Sequence, residues 1–273
     1  MSHEAITTLF DHLWQDYIKI TPSAHKVHQL LAQFDSDAHI TNDHIALRTL
    51  SLPGIGVMDL AQHFIALGYV KGDEYDFSNK KLNAMHFEHA DTTYPKVFIS
   101  ELKVAELSDQ AQTLLRDIAA QIPTDAPRTS DFLYSGTHWQ VSYSQYQALL
   151  AESEYAAWFA AWGYRANHFT VSVNHLVQFT ELHQVNTLLK DHGFVLNTSG
   201  GEIKGGKDVS LAQSATMADR MPVAFSDQVQ DIPSCFYEFA QRFAMPTGQL
   251  YQGFVAASAD KIFESTHSKA SSK

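Results

Sequence analysis

Cysteine is nearly absent. A single one, Cys235, stands among 273 residues, which excludes an intrachain disulfide framework and any cysteine-based zinc cluster. Positive charge is also scarce: 19 Lys and Arg against 30 Asp and Glu leave a formal net charge of −11. A surface of that sign repels phosphate, which argues against nucleic acid or an anionic membrane as partner. Long apolar runs are missing. The densest, Ala156-Ala-Trp-Phe-Ala-Ala-Trp162, is too short to cross a bilayer. The opening Met1-Ser-His-Glu-Ala-Ile-Thr-Thr-Leu-Phe10 has no basic segment followed by an apolar one, so no signal peptide is expected. These absences point to a globular protein of a reducing, cytoplasmic compartment. No feature of the sequence specifies an oligomer.

What is present suffices for a large core: 45% of residues are apolar and 12% aromatic. The chain also carries 15 histidines. Residues 4–33 read as two helices, with Leu9, Leu13, Ile18, Val27, Leu30 and Leu31 near helical spacing around the break at Thr21-Pro22-Ser23. A strand then starts at Ile45. A helix covers 57–67 and stops at Gly68, and three short strands follow, at 69–75, 83–90 and 96–102. The same order returns after residue 163: a strand over 168–173, a helix over 177–192 ending at Gly193, then strands at 194–196, 209–215 and 234–239.

Landmarks match in register. Asp43-His-Ile-Ala-Leu-Arg48 lies over Asn167-His-Phe-Thr-Val-Ser172, and Ala66-Leu-Gly-Tyr69 over Asp191-His-Gly-Phe194. Phe98-Ile-Ser-Glu-Leu102 lies over Cys235-Phe-Tyr-Glu-Phe239. This reads as a duplicated βαβββ unit. The expected fold is α+β: two βαβββ modules form a shared open β-barrel around a metal site, with a helical N-terminus and a helical insert. The expected boundaries are N-terminal helices 1–34, a first module 35–102, a mostly helical insert 103–162, a second module 163–245, and a tail 246–273 packing on the barrel. The whole forms one compact domain.

Paired modules bring matched strand positions around one cavity, so His44 and His168 approach each other while Glu101 and Glu238 approach from the other side. Two imidazoles and one carboxylate with adjacent positions open is the facial set of non-heme iron(II) enzymes. The competing reading makes each a hydrogen-bonded core histidine. Glu238, flanked by apolar residues, would be costly to bury unless bound to a cation. It is therefore the expected ligand, and Glu101 a neighbouring or substrate-side group.

His12, His25, His28, His63, His183 and His192 fall on helix patterns and read as surface residues; His3 and His267 are terminal. His86 and His89, three apart on a strand, cannot both ligate. His138 is a pocket candidate. Arg48 lies four residues after His44, on the same strand face roughly 13 Å along. It could grip a distant carboxylate bidentately, or it could be a strand-end arginine in a surface ion pair. Ser199-Gly-Gly-Glu-Ile-Lys-Gly-Gly206 lacks P-loop order and reads as a glycine-rich turn. From it Lys204 could reach a substrate anion. Gln213 and Ser214 are placed to line the cavity, and Cys235 reads as packing.

Asp43-His-Ile-Ala-Leu-Arg48, Phe98-Ile-Ser-Glu-Leu102, Asn167-His-Phe-Thr170, Lys204-Gly205, Gln213-Ser-Ala215 and Tyr237-Glu-Phe-Ala-Gln-Arg242, taken in order, resemble the 2-oxoadipate dioxygenase/decarboxylase (2-hydroxyglutarate synthase) family. That family belongs near the vicinal oxygen chelate superfamily. The tail Phe254-Val-Ala-Ala-Ser-Ala259 with Ile262-Phe263 fits too, so the resemblance spans roughly residues 35–265 and is to a compact version of longer members. It implies Fe(2+) held by His44, His168 and Glu238, with Arg48 on the substrate. It also implies conversion of 2-oxoadipate and O2 to 2-hydroxyglutarate and CO2 in lysine degradation. The expected partners are a small 2-oxo acid and O2, with no nucleic acid and no membrane. The rivals are a metal-dependent hydrolase or isomerase on the same scaffold and a non-enzymatic small-ligand binding protein.

Overall fold

The computed structural model describes residues 3–34 and 40–266; His267 and the end of the expected tail lie outside the described residues. Helix α1 (His3–Ile20) lines up Ile6, Leu9, Leu13, Tyr17 and Ile20 on one buried stripe, the three-to-four spacing of a core-facing helix. Pro22 opens α2 (Pro22–Phe34), at a position where a missing N–H costs nothing.

The first module runs β1 (Asn42–Leu50), α3 (Val57–Ile65), β2 (Val70–Phe77), β3 (Leu82–Glu88) and β4 (Lys96–Leu102). The insert is α4 (Asp109–Ala120), α5 (Tyr143–Glu152) and α6 (Glu154–Trp162), with short 3-10 turns before α4 and between α4 and α5 and Ser153 alone between α5 and α6. The second module runs β5 (Ala166–Ser172), α7 (Leu182–Asp191), β6 (Lys204–Gly206) and β7 (Leu211–Ala215), then a hairpin of β8 (Arg220–Ala224) and β9 (Val229–Pro233), and finally β10 (Glu238–Arg242). A short α8 (Ala256–Ile262) follows.

Eight strands form one curled sheet in the order β2-β3-β4-β1-β5-β10-β7-β6. The order reads the same from the centre outward in both halves. β1 is parallel to β4 and β5 is parallel to β10, while β1 and β5 meet antiparallel at the seam. Ile45 pairs with Phe169 at the middle of that seam, with Ala46 opposite His168 and His44 opposite Thr170. The two modules are thus related by an approximate two-fold through the Ile45–Phe169 pair. The β8–β9 hairpin, absent from the sequence expectation, is an addition to the second module outside the main sheet.

Three local departures have physical causes. The helix expected from 177 begins at Leu182, because Gln184 Oε1 accepts from the backbone of Thr180 and Glu181 and fixes the start there. Residues 194–196 form no strand; Leu196 makes only an isolated bridge to Thr216. The glycine-rich segment ends in β6 rather than in a free turn. Gly205, at φ 75°, runs so close to β7 that a Cβ would lie 2.2 Å from the Leu211 carbonyl oxygen, which accounts for glycine there without a ligand.

Helix α6 is apolar all round because it is buried all round, from Tyr155 to Trp162. Its indoles find carbonyl partners: Trp158 Nε1 donates to Ser234 O and Trp162 Nε1 to Pro233 O. On the other side, Trp14 and Tyr17 of α1 pack on Phe169 of β5 at 5.1 Å each. Among the described residues no helix is long and apolar enough to cross a membrane.

Candidate metal centre

Strand alternation decides which side chains enter the concave face of the sheet. On β1 that face carries His44, Ala46 and Arg48; on β5 it carries His168 and Thr170. Because His44 and His168 each stand one residue before the two-fold, their rings meet across the seam, 5.6 Å apart and nearly perpendicular. Glu238 of β10 sits beside Thr170. One ligating atom from each of His44, His168 and Glu238 lies within 4.8 Å of the others, and all three residues are buried.

Hydrogen bonds fix which nitrogens face inward. Asp43 Oδ1 accepts from His44 Nδ1 at 2.8 Å, so the lone pair is on Nε2. That Nε2 stands 3.8 Å from Glu238 Oε1 and accepts from the Thr170 hydroxyl at 3.1 Å. His168 Nδ1 pairs with Asn167 Oδ1 at 3.1 Å, leaving its Nε2 3.2 Å from Glu238 Oε2. Gln213 Nε2 donates to Glu238 Oε1 at 2.5 Å. Glu238 Oε2 and Gln213 Oε1 have no hydrogen-bond partner although buried, which is costly unless something cationic or protic completes them.

The electrostatics agree. Burial pushes the Glu238 carboxyl up to about 8, against the Gln213 hydrogen bond and the charges of Lys204 and Arg242. Burial likewise lowers His44, against the pull of Asp43. Burial, with the nearby charges of His44 and Arg48, takes His168 well below the usual range. Asp43 would rise by burial, but Arg242 and His44 outweigh this and hold it well below the carboxylate range. Two neutral imidazoles and a carboxyl that ionises only with difficulty are what a divalent cation is suited to complete. The residues fit a metal.

The cavity at this cluster is small, about 20 Å³, walled by Phe98 and Gln213 and by Phe254, Ala259, Ile262 and Phe263 of the C-terminal segment. A larger cavity, about 190 Å³, opens beside Arg48, with Lys80, Lys81, Tyr155 and, again, Phe263 in its wall. The Phe263 ring therefore stands between the two. Arg48 is 3% exposed, so the surface ion-pair reading is wrong. Its guanidinium carbon lies 4.8 Å from the Tyr155 and Trp158 rings. Nε has no partner, and no carboxylate makes an ion pair with Arg48 among the described residues.

Other expected site residues are placed elsewhere. Ser214 faces away from the cavity, and its hydroxyl donates to Asn186 Oδ1 of α7 at 2.7 Å; its neighbour Gln213 faces in. Lys204 pairs with Gln213 and so shares its face of the sheet, but it is buried, its Nζ donates to the Asn197 carbonyl, and it is not in the wall of either cavity. Burial brings its ammonium down to about 8 despite Glu238, Glu202 and Glu264. Glu101 is on the outer face of β4, where its Oε2 accepts from Val57 N at 2.9 Å and caps α3. Its matching to Glu238 is out of register. Ala46 pairs with Phe98 as Thr170 pairs with Glu238, so Phe98, three positions earlier, is the two-fold counterpart of Glu238. His138 bonds Ser135 Oγ and stacks on Phe132, away from the cluster. Sequence reasoning missed Gln213 as a partner of Glu238 and Thr170 as a partner of His44; strand parity from His168 would have found Thr170, two residues on, whereas no histidine lies on β7 to place Gln213.

Comparison with known proteins gives a consistent result. The family model described as 2-oxoadipate dioxygenase/decarboxylase matches residues 4–125 and 124–250. The chain is 34% identical over 287 residues to the rice (Oryza sativa subsp. japonica) 2-oxoadipate dioxygenase/decarboxylase, chloroplastic/amyloplastic, covering 95% of this chain and 78% of that one. Among solved structures, rice hydroxyglutarate synthase in complex with 2-oxoadipate superposes with a TM-score of 0.91 at 34% identity, over 98% of this chain and 95% of that one. A Shewanella frigidimarina NCIMB 400 protein, provisionally described as a hydrolase, superposes with a TM-score of 0.89 at 56% identity, over 92% and 98%.

Proposed function

The chain belongs to the 2-oxoadipate dioxygenase/decarboxylase family, and we propose that it converts 2-oxoadipate and dioxygen to 2-hydroxyglutarate and carbon dioxide at an iron(II) centre held by His44, His168 and Glu238. The observation that carries this reading is the buried convergence of those three ligating atoms within 4.8 Å. Bound iron(II) would supply the sites and electrons for a chelating 2-oxo acid and dioxygen.

The protein's own part follows from its side chains. Asp43 holds His44 in the tautomer whose Nε2 points inward, and Asn167 does the same for His168. Gln213 orients the Glu238 carboxylate. Phe254, Ile262 and Phe263 close the cavity against water. Arg48, charged and stacked, with the Glu154 carboxylate near but in no ion pair with it, receives the distal carboxylate of the substrate and so sets its distance from the metal. The proposed setting is lysine degradation in a reducing compartment such as the cytoplasm.

The test is oxygen uptake by protein loaded anaerobically with iron(II) and given 2-oxoadipate, with His44→Ala as control. Substrate-dependent uptake, lost in the control, is the expected result. Turnover without oxygen would reassign the site to a hydrolase or isomerase. Retained metal with no turnover of any 2-oxo acid would make it a binding protein.

A further inference from the structure

The two metal-facing histidines are backed differently, and the difference has no use in orienting a ring. His168 leans on a neutral side chain, Asn167, at 3.1 Å. His44 leans on Asp43, which is itself gripped by Arg242: Nε to Oδ2 at 2.6 Å and Nη2 to Oδ1 at 2.8 Å. A neutral partner suffices at one ligand, so the buried ion pair at the other calls for a separate reason.

Arg242 supplies one. Its backbone is clamped on both sides by Asn174, which accepts from Arg242 N at 2.8 Å and donates to Arg242 O at 2.9 Å. From that fixed point the remaining Nη1 hydrogens reach the C-terminal segment, to Tyr251 O at 3.0 Å and Gly253 O at 2.8 Å. The next residue, Phe254, packs under the guanidinium at 5.3 Å and edge-on against His44 at 4.8 Å. Its ring is a wall of the metal cavity. One planar cation thus holds both the carboxylate that aims a ligand and the backbone that seats the cavity's closing side chain.

We propose that Arg242 is a positioning residue that couples the seating of the 251–263 segment to the orientation of His44. Metal capture then tightens the closure, and closure in turn strengthens metal capture. Coupling of this kind is reciprocal by linkage. The inference rests on His44 being a metal ligand, as proposed above.

Amide hydrogen exchange of residues 251–263, measured with and without saturating cobalt(II), tests it. Cobalt is the probe because its visible absorption reports binding independently of activity. In the unaltered protein, cobalt is expected to slow exchange in this segment about tenfold. Arg242→Lys keeps a cation beside Asp43 but cannot span the carboxylate and both carbonyls. Asp43→Ala removes the oxygen that Arg242 and His44 share and so cuts the link at the other end. In either variant, saturating cobalt is expected to bind and leave exchange of the segment unchanged. Cobalt bound to the unaltered protein without slowing exchange overturns this inference alone, and so does protection that survives Arg242→Lys. No cobalt absorption at all overturns the metal centre and this inference together. The measurement on the unaltered protein decides the matter even if a variant does not fold.

Discussion

Replacing Arg48 by Met should leave the protein as stable as before, or more so, while abolishing its preference for a dicarboxylic substrate. The guanidinium is buried with an unpartnered Nε and no ion pair among the described residues. Taking such a charge out of water costs several kcal/mol. Stacking on Tyr155 and Trp158 at 4.8 Å returns about 2 kcal/mol per ring at most. Methionine can fill the same slot between the rings without the charge. The expected change, with no substrate present, is between zero and about 2 kcal/mol of stabilisation, a rise in Tm of up to about 6 °C. With substrate the sign reverses. Losing one partner of a desolvated charge pair costs about 2–5 kcal/mol, or about thirtyfold to several thousandfold in affinity. Thermal melts, with anaerobic calorimetry comparing 2-oxoadipate and 2-oxohexanoate, separate the two effects. The native protein should prefer the dicarboxylate by that factor, and Arg48→Met should bind both alike. A variant that loses more than about 3 kcal/mol of stability yet still discriminates would refute the reasoning. Arg48 would then be a structural cation stacked for packing.

Metal affinity should climb about tenfold per pH unit and level off near pH 8, because Glu238 keeps its proton up to about 8 in the metal-free fold and must lose it to ligate. The same shift has a stability consequence with a definite sign. Glu238 is raised from 4.5 in the unfolded chain, so the metal-free fold holds the extra proton and its stability falls as pH rises through that window. Melting curves with and without metal across pH 5–9 should therefore diverge upward; a constant gap would contradict this. Glu101→Ala should cost about 1 kcal/mol through the lost cap on α3 and leave kcat/KM unchanged; a tenfold loss of activity would return Glu101 to the site. Ser214→Ala should leave KM unchanged, while Gln213→Leu should weaken metal binding about tenfold to a hundredfold, and equal effects in competition titrations would show the parity of β7 to be misjudged.

The sequence made the histidine pair legible because both lie on the two strands that meet at the two-fold. His44 and His168 flank the Ile45–Phe169 pair symmetrically, so equal positions in the repeat had to become neighbours in space. The helical N-terminus was legible from apolar spacing. The hairpin β8–β9 was not, since it serves only the second module and leaves no trace in the first. The face of Ser214 was misjudged for another reason. A one-residue change of parity sends a strand side chain to the opposite face, and no periodicity in a five-residue strand between Ser210, at φ 59°, and Thr216 fixes which face is inward. Arg48 lies on the strand face its spacing from His44 implied, but its company of Tyr155, Trp158 and Phe263 comes from the insert and the tail, which no local pattern could foretell.

The mismatch of Glu101 with Glu238 bears on the chemistry itself. A perfect two-fold would set a carboxylate on each side of the histidine pair, giving two imidazoles and two carboxylates and little room for a substrate to coordinate. The first module instead carries Phe98 at the counterpart of Glu238, and that ring packs on Phe254 at 5.0 Å in the wall of the cavity. One half of the duplication would therefore supply charge to a metal held there, while the other supplies an apolar wall. That asymmetry keeps the charge of the donor set low: a dication held by two neutral imidazoles and one carboxylate retains a net positive charge. It can then attract an anionic 2-oxo acid into a dry cavity, where the attraction is strongest. The symmetric fold brings the ligands together, and the broken symmetry at Phe98 leaves the site chemically open.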